Sequence, residues 1–233
     1  MPERHIVALG GGGFSSDGPG SSLDDFILAL ARRSDPKICF VPTASGDSDT
    51  YVANFYRAFA LRACHPSDLA LFRRTIVDLH QFLMSQDVIY VGGGNTANML
   101  AIWRRHDVDS ILRECWEAGI VLAGISAGAI CWFEAAVTDS FGLQLAALND
   151  GLGLLPGSAC PHYDSEERRR PVYQRLVAEG FPSGYAADEG VGLHFSGTVF
   201  TEAVSSRPQG SAYQLTLKDS RVDERTIAPR LLG

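Results

Sequence analysis

The segment Gly124-Ile125-Ser126-Ala127-Gly128 follows a run of apolar residues, Ile120-Val121-Leu122-Ala123, and leads into a short helical stretch. A G-x-S-x-G string between a strand and a helix is the pattern of a nucleophile elbow. The flanking glycines permit a sharp turn, and the serine hydroxyl projects beside the first backbone N–H groups of the next helix. Ser126 is thus the candidate nucleophile for acyl transfer, and the Ala127 N–H a candidate donor to the oxyanion. Such an elbow needs a second N–H from a neighbouring strand-end loop. Gly92-Gly93-Gly94-Asn95-Thr96 can supply it, with Gly93 or Gly94 as the donor. A further glycine run, Gly10-Gly11-Gly12-Gly13, reads equally as a set of tight turns or as a ligand loop. It lacks G-x-G-x-x-G spacing, because Phe14 and Ser15 follow it, and no Gly-Lys-Ser or Gly-Lys-Thr is present for a phosphate loop.

A serine nucleophile needs a base, and the chain has six histidines. His5 opens a strand, His65 and His80 lie in polar connecting regions, His106 ends a helix after Arg104-Arg105, and His194 sits within a strand as a core or sheet-face residue. His162 closes Gly157-Ser158-Ala159-Cys160-Pro161-His162, a short strand that leaves the sheet at Pro161. That position puts it on a strand-end loop at the rim where Ser126 is expected.

The elements that must position these groups alternate between short β-branched runs and longer amphipathic segments, the signature of β-α-β units around a mainly parallel sheet. The expected strands are His5–Leu9, Lys37–Pro42, Asp87–Val91, Ile120–Gly124, Gly157–Cys160, Gly190–Phe195 and Thr198–Val204. Ser22 is the expected N-cap of a first helix, Thr50–Ala63 forms a second, and Asn95 caps a third. Beyond Val199 the pattern turns antiparallel, with Tyr213-Gln214-Leu215-Thr216-Leu217 alternating before a turn at Lys218-Asp219-Ser220-Arg221. In such a sheet ligands bind at the carboxyl ends of the strands, where the glycine loops and the elbow fall.

The 233 residues read as one α/β domain with no linker. A net charge of −7 with scattered acids leaves no basic face for a phosphate backbone, which argues against nucleic acid. Five widely spaced cysteines without a C-x-x-C pair argue against a disulfide framework and a zinc site, and fit a reducing cytoplasm. No signal peptide or credible membrane span is read, since the longest apolar stretch, Ile120 to Val137, is broken by Ser126, glycines and Glu134. A homodimer is left open, and neither metal nor cofactor is required.

Gly92-Gly93-Gly94-Asn95-Thr96, Gly124-Ile125-Ser126-Ala127-Gly128-Ala129 and Pro161-His162-Tyr163, in this order and at these spacings, resemble the peptidase E family of serine peptidases. That family holds the aspartyl dipeptidases and, more distantly, the cyanophycinases. The similarity runs from the first strand to about Phe195. It implies a three-layer, flavodoxin-like α/β fold similar to that of the class I glutamine amidotransferases, with Ser126 as nucleophile and His162 as general base. The orienting acid, by the same resemblance, is Glu189 in the Glu189-Gly190 step. Asp139, after the elbow helix, is its rival, with Asp164 and Asp188 behind. The implied activity is hydrolysis of Asp-Xaa dipeptides through an acyl-enzyme, with a small peptide substrate as the partner. Arginine's planar fork suits a substrate carboxylate, and of Arg168-Arg169-Arg170 the last aligns best with that role. Asn95 is a second substrate-binding candidate. The alternatives are a cyanophycinase-like hydrolase of other aspartyl or amide bonds, and a non-catalytic domain that binds a small molecule or a protein.

Overall fold

A computed structural model describes residues 3–233. Strands run His5–Leu9 (β1), Lys37–Val41 (β2), His65–Asp68 (β3), Val88–Val91 (β4), Val121–Ile125 (β5), Phe133–Thr138 (β6), Ala146–Leu148 (β7), Leu155–Cys160 (β8), Gly184–Ala187 (β9), Val191–Ser196 (β10), Val199–Ser205 (β11), Ala212–Lys218 (β12), Arg221–Ile227 (β13) and Arg230–Leu231 (β14). Helices run Gly13–Ser16 (α1), Ser22–Leu30 (α2), Asp49–Phe59 (α3), Leu79–Met84 (α4), Thr96–Arg105 (α5), Val108–Glu117 (α6), Ala127–Ile130 (α7) and Arg169–Ala178 (α8).

The main sheet has the order β14-β11-β10-β1-β5-β4-β2-β3. Its β1, β5, β4, β2 and β3 are parallel, while β10 pairs antiparallel with β1 and β11 antiparallel with β10. The period of two along each strand sends alternate side chains to opposite layers. Ile6, Val41, Ile89 and Leu122 pack with Met99, Trp103 and Leu112 of α5 and α6. Val7, Leu9, Phe40 and Tyr90 pack with Leu23 and Ile27 of α2 and with Phe55 and Phe59 of α3. The fold is therefore three-layered and mainly parallel at its centre. Burial of Phe40, Phe55 and Phe59, all fully enclosed, contributes on the order of 2–3 kcal/mol each.

A second sheet, β13-β12-β9-β8-β6-β7, stands beside the first. The sequence reading gives Gly157–Cys160 to the main sheet, whereas β8 lies here between β6 and β9. A parallel crossover needs a dozen or more residues. The elbow helix α7 spans only Ala127–Ile130, so the chain cannot return to the first sheet and starts another. This sheet has its own apolar cluster, in which Val137, Cys160 and Ala186 meet Tyr173 and Val177 of α8.

Several local expectations are corrected. Ser21, not Ser22, is the N-cap of α2, and its hydroxyl donates to Asp17 Oδ2 instead of capping. The second helix ends at Phe59 rather than Ala63, because Arg62 turns back to donate to the carbonyls of Ala58, Pro19 and Ser21. His65–Asp68, read as a connection, is the edge strand β3, whose half-exposed position tolerates polar residues. Asn95 caps α5 as expected, accepting from the Asn98 N–H. His194 is a buried sheet-face residue, and its partner is His5, at 3.1 Å.

Register determines what meets at the rim. The carboxyl ends of β1, β5 and β4 are adjacent, with Leu9 opposite Ile125 and Val91 opposite Gly124. Because β10 runs against β1, its start lies beside the end of β1, so Glu189-Gly190 arrive at that same rim. In the second sheet β8 and β9 are parallel with Cys160 opposite Ala186. The residues after them, Pro161-His162 and Asp188-Glu189, thus emerge together.

Candidate active site

The elbow begins with glycines that cannot be replaced. A Cβ on Gly124 would stand 2.0 Å from the Gly128 carbonyl oxygen, so the turn closes only without a side chain there. Ser126 has φ 53° and ψ −110°, a sparsely populated conformation that costs about 1–3 kcal/mol and persists only where neighbours enforce it. Its N–H donates to the Leu9 carbonyl at 3.0 Å, and its carbonyl accepts from Ala129 and Ile130. Both ends of the residue are pinned, which leaves the side chain directed into a cleft of about 530 Å³. Among the described residues no hydrogen bond involves Ser126 Oγ. Ala127 is the first residue of α7, so its N–H has no carbonyl a turn earlier to bind.

His162 and Glu189 line the same cleft. His162 Nδ1 lies 2.8 Å from Glu189 Oε2. A carboxylate only accepts, so the ring carries its proton on Nδ1 and leaves Nε2 as an acceptor. The hydrogen bond from His162 holds the Glu189 carboxyl below its ordinary pKa despite partial burial. Glu189 Oε1 accepts from the Gly12 N–H at 3.0 Å and from Ser16 Oγ at 2.8 Å. The backbone of His162, at φ 51°, is fixed by donation to the Gly10 carbonyl at 2.9 Å. The Gly10–Gly13 run thereby finds its role. A Cβ on Gly11 would fall 2.0 Å from Glu189 Oε2, so Gly11 is bare where this carboxylate approaches, and a Cβ on Gly10 would stand 2.4 Å from the Ala187 carbonyl oxygen.

The other acids stand elsewhere. Asp139 is exposed and borders a separate surface depression with Glu166 and Arg168. Asp164 accepts the Glu189 backbone N–H at 2.8 Å and so steadies the acid from behind. Asp188 accepts from Ser211 N–H and Tyr213 Oη, its Oδ1 has no partner, and burial pushes its pKa up to about 6.

The two substrate-binding candidates are occupied away from the cleft. Asn95 spends Oδ1 on the α5 cap and donates Nδ2–H to the Ser140 carbonyl at 3.0 Å. Arg170 pairs with Glu224 and lies 5.6 and 5.1 Å from the ring centres of Tyr163 and Tyr213. Glu224 also accepts from Tyr163 and Gln174, so Arg170 belongs to a network joining α8 to β13. Of the strand-end loop, Gly93 and Gly94 both line the cleft. The Gly93 N–H donates to the hydroxyl of Tyr51 at 3.2 Å. Tyr51, Ser15, Ser16, Ser48 and Asn54 line the cleft too and escape the sequence reading. They carry no motif, and only the packing of α1 and α3 brings them to the rim. No lysine or arginine is among the lining residues. Among the described residues no group of three His, Cys, Asp or Glu is placed to hold a metal, and no helix is long and apolar enough to cross a membrane.

Residues 6–203 match the sequence profile of peptidase family S51. The chain is 50% identical over 231 residues to "Uncharacterized peptidase YgaJ" of Bacillus subtilis strain 168, covering 99% of this chain and all of that one. It is 29% identical over 183 residues to "Peptidase E" of Shewanella denitrificans, covering 72% and 74% of the two chains. Its fold is similar to that of a peptidase from an acI-B1 Actinobacterium, with a TM-score of 0.72 at 18% identity over 97% and 95% of the chains.

Proposed function

The chain belongs to peptidase family S51, and from that membership we propose that it is a serine peptidase working through Ser126, His162 and Glu189. The observation that carries the reading is the Nδ1 contact of His162 with Glu189, inside the cleft that holds the strained Ser126. In the proposed cycle His162 Nε2 takes the Ser126 hydroxyl proton as Oγ attacks the scissile carbonyl. Glu189 keeps the ring in the reactive tautomer and stabilises the imidazolium that forms. The Ala127 N–H and a second donor beside the Gly93–Gly94 loop stabilise the developing oxyanion. His162 then protonates the leaving amine, and water releases the acyl group by the same route.

Asp-Xaa dipeptides are the first candidate substrates, with Arg170 as the partner of the aspartate carboxylate. That use of Arg170 requires it to leave Glu224 and the two tyrosines. A second reading is favoured by the lining of the cleft, which offers hydroxyls and an amide but no cation. On that reading the enzyme accepts an uncharged first residue. The test is a panel of Asp-Xaa, Glu-Xaa, Asn-Xaa, Ser-Xaa and N-blocked peptides with wild type, Ser126→Ala and Arg170→Met. Loss of all turnover in Ser126→Ala is expected, and unchanged turnover there refutes the nucleophile. A rise in KM confined to Asp-Xaa in Arg170→Met supports the first substrate class. Cleavage of Ser-Xaa or Asn-Xaa with Asp-Xaa untouched supports the second.

A further inference from the structure

An oxyanion hole needs N–H groups that are free when the tetrahedral intermediate forms. The N–H of Gly93 is already spent, donated to Tyr51 Oη at 3.2 Å. The Tyr51 ring packs in a cluster with Phe14 and Phe40, whose ring centres are 5.4 and 5.0 Å away, and Phe40 in turn stacks on Phe55. The hydroxyl belongs to the cleft that Ser126 also lines. The point where a Cβ on Gly93 would stand is 3.4 Å from Ser126 Cβ and 3.9 Å from Tyr51 Oη.

We propose that Tyr51 is a catalytic oxyanion donor of this enzyme, its phenol O–H taking over the position that the Gly93 N–H would otherwise serve. The proposal rests on the serine-peptidase reading above. A phenol both accepts and donates. Tyr51 Oη accepts from Gly93, has the Ser15 hydroxyl as a further neighbour, and carries one proton to give, and accepting a hydrogen bond strengthens the one it donates. When Ser126 Oγ bonds to the scissile carbon, the carbonyl π pair moves onto oxygen and the serine proton passes to His162. The Tyr51 proton stays on the phenol and only hydrogen-bonds to the new oxyanion. On collapse the C–N pair leaves with the amine, which takes the proton from His162. Burial raises the Tyr51 pKa, so the phenol stays protonated, and able to donate, across the neutral range.

The experiment uses a fluorophosphonate, which reports on attack by Ser126 without knowledge of the natural substrate and also develops charge on oxygen. Maximal inactivation rate and half-saturating probe concentration are measured for wild type, Ser126→Ala and Tyr51→Phe, together with thermal midpoints. Removing one oxyanion donor lowers the rate of such a step by roughly 100-fold or more. Tyr51→Phe is expected to show that fall in maximal rate with little change in half-saturation and a wild-type midpoint. A Tyr51→Phe enzyme labelled as fast as wild type refutes the proposal. Faster labelling refutes it too, because the freed Gly93 N–H would then be the true donor and Tyr51 a plug. If wild type is not labelled, or Ser126→Ala is labelled equally, the serine-peptidase reading itself fails, and the proposal with it. Should Tyr51→Phe not fold, 3-fluorotyrosine at position 51 keeps the shape and strengthens the donor. It is expected to label at least as fast as wild type, and slower labelling would refute the role.

Discussion

On the proposed triad, Glu189→Gln isolates the contribution of the acid because the two oxygens of Glu189 face different partners. Oε1 accepts from Gly12 N–H and Ser16 Oγ, and Oε2 faces His162 Nδ1 at 2.8 Å. A glutamine can satisfy only one side in the old way. With its oxygen toward Gly12 and Ser16, its NH2 points at His162, which must then accept at Nδ1 and carry its proton on Nε2. The acceptor at Nε2 that the proposed cycle needs is lost in that orientation. The flipped amide restores the tautomer but sets NH2 against the Gly12 N–H, leaving that donor unpaired at about 1–3 kcal/mol. The productive form is thereby cut by roughly one to two factors of ten. Even that form lacks the carboxylate charge that stabilises the imidazolium, worth about another factor of ten from the difference between charged and neutral hydrogen bonds. A fall in kcat/KM of about 10²- to 10³-fold is expected, somewhat less than the roughly 10⁴-fold that loss of a triad acid can produce. The assay is turnover on the best peptide of the panel, or fluorophosphonate labelling, with circular dichroism to verify the fold. A Glu189→Gln enzyme within threefold of wild type would refute the assignment, and a larger loss in Asp139→Asn would transfer the role.

Two further outcomes test the scaffold. Gly124→Ala drives a methyl group into the Gly128 carbonyl, 2.0 Å away, and such overpacking costs about 1–3 kcal/mol. The thermal midpoint should fall by several degrees and Ser126 labelling should be lost, whereas a wild-type midpoint would mean the elbow is not closed as described. Asp24 is fully buried, with Oδ1 accepting from Tyr90, Oδ2 unpartnered and Arg62 at 3.7 Å, and burial raises its pKa to about 7. Between the unfolded value near 4 and about 7 the native state keeps a proton that the unfolded chain has released, so this group's contribution to stability declines as pH rises through that window. Asp24→Asn removes the titration. Its midpoint relative to wild type should therefore be higher at pH 8 than at pH 5, and parallel melting behaviour at both would contradict it.

Much of the site was legible because its chemistry is local in sequence. The elbow is five consecutive residues whose turn closes with Gly124 bare against the Gly128 carbonyl four residues on, so Ser126 stands out before any fold is known. Asn95 is readable for the same reason, since a helix cap is made within three residues. The central strands are readable because burial on both faces demands continuous apolar runs, as in Val88–Val91 and Val121–Ile125. His65–Asp68 is not readable, because an edge strand makes no such demand.

The sequence by itself determined the parallel α/β core, through residue type at short spacing, and singled out Ser126 and His162 as the candidate nucleophile and base. The tertiary structure decided everything that depends on which strand ends share a rim. It carried β8 into a second sheet and returned His162 beside Glu189 through the parallel β8–β9 register, leaving Asp139 outside. It took Arg170 and Asn95 into contacts of their own, and it brought Tyr51 from a helix without any motif to the Gly93 N–H. Hydrogen bonds between residues far apart in the chain form only after the strands are ordered, and the order of strands is a property of packing that residue spacing does not encode.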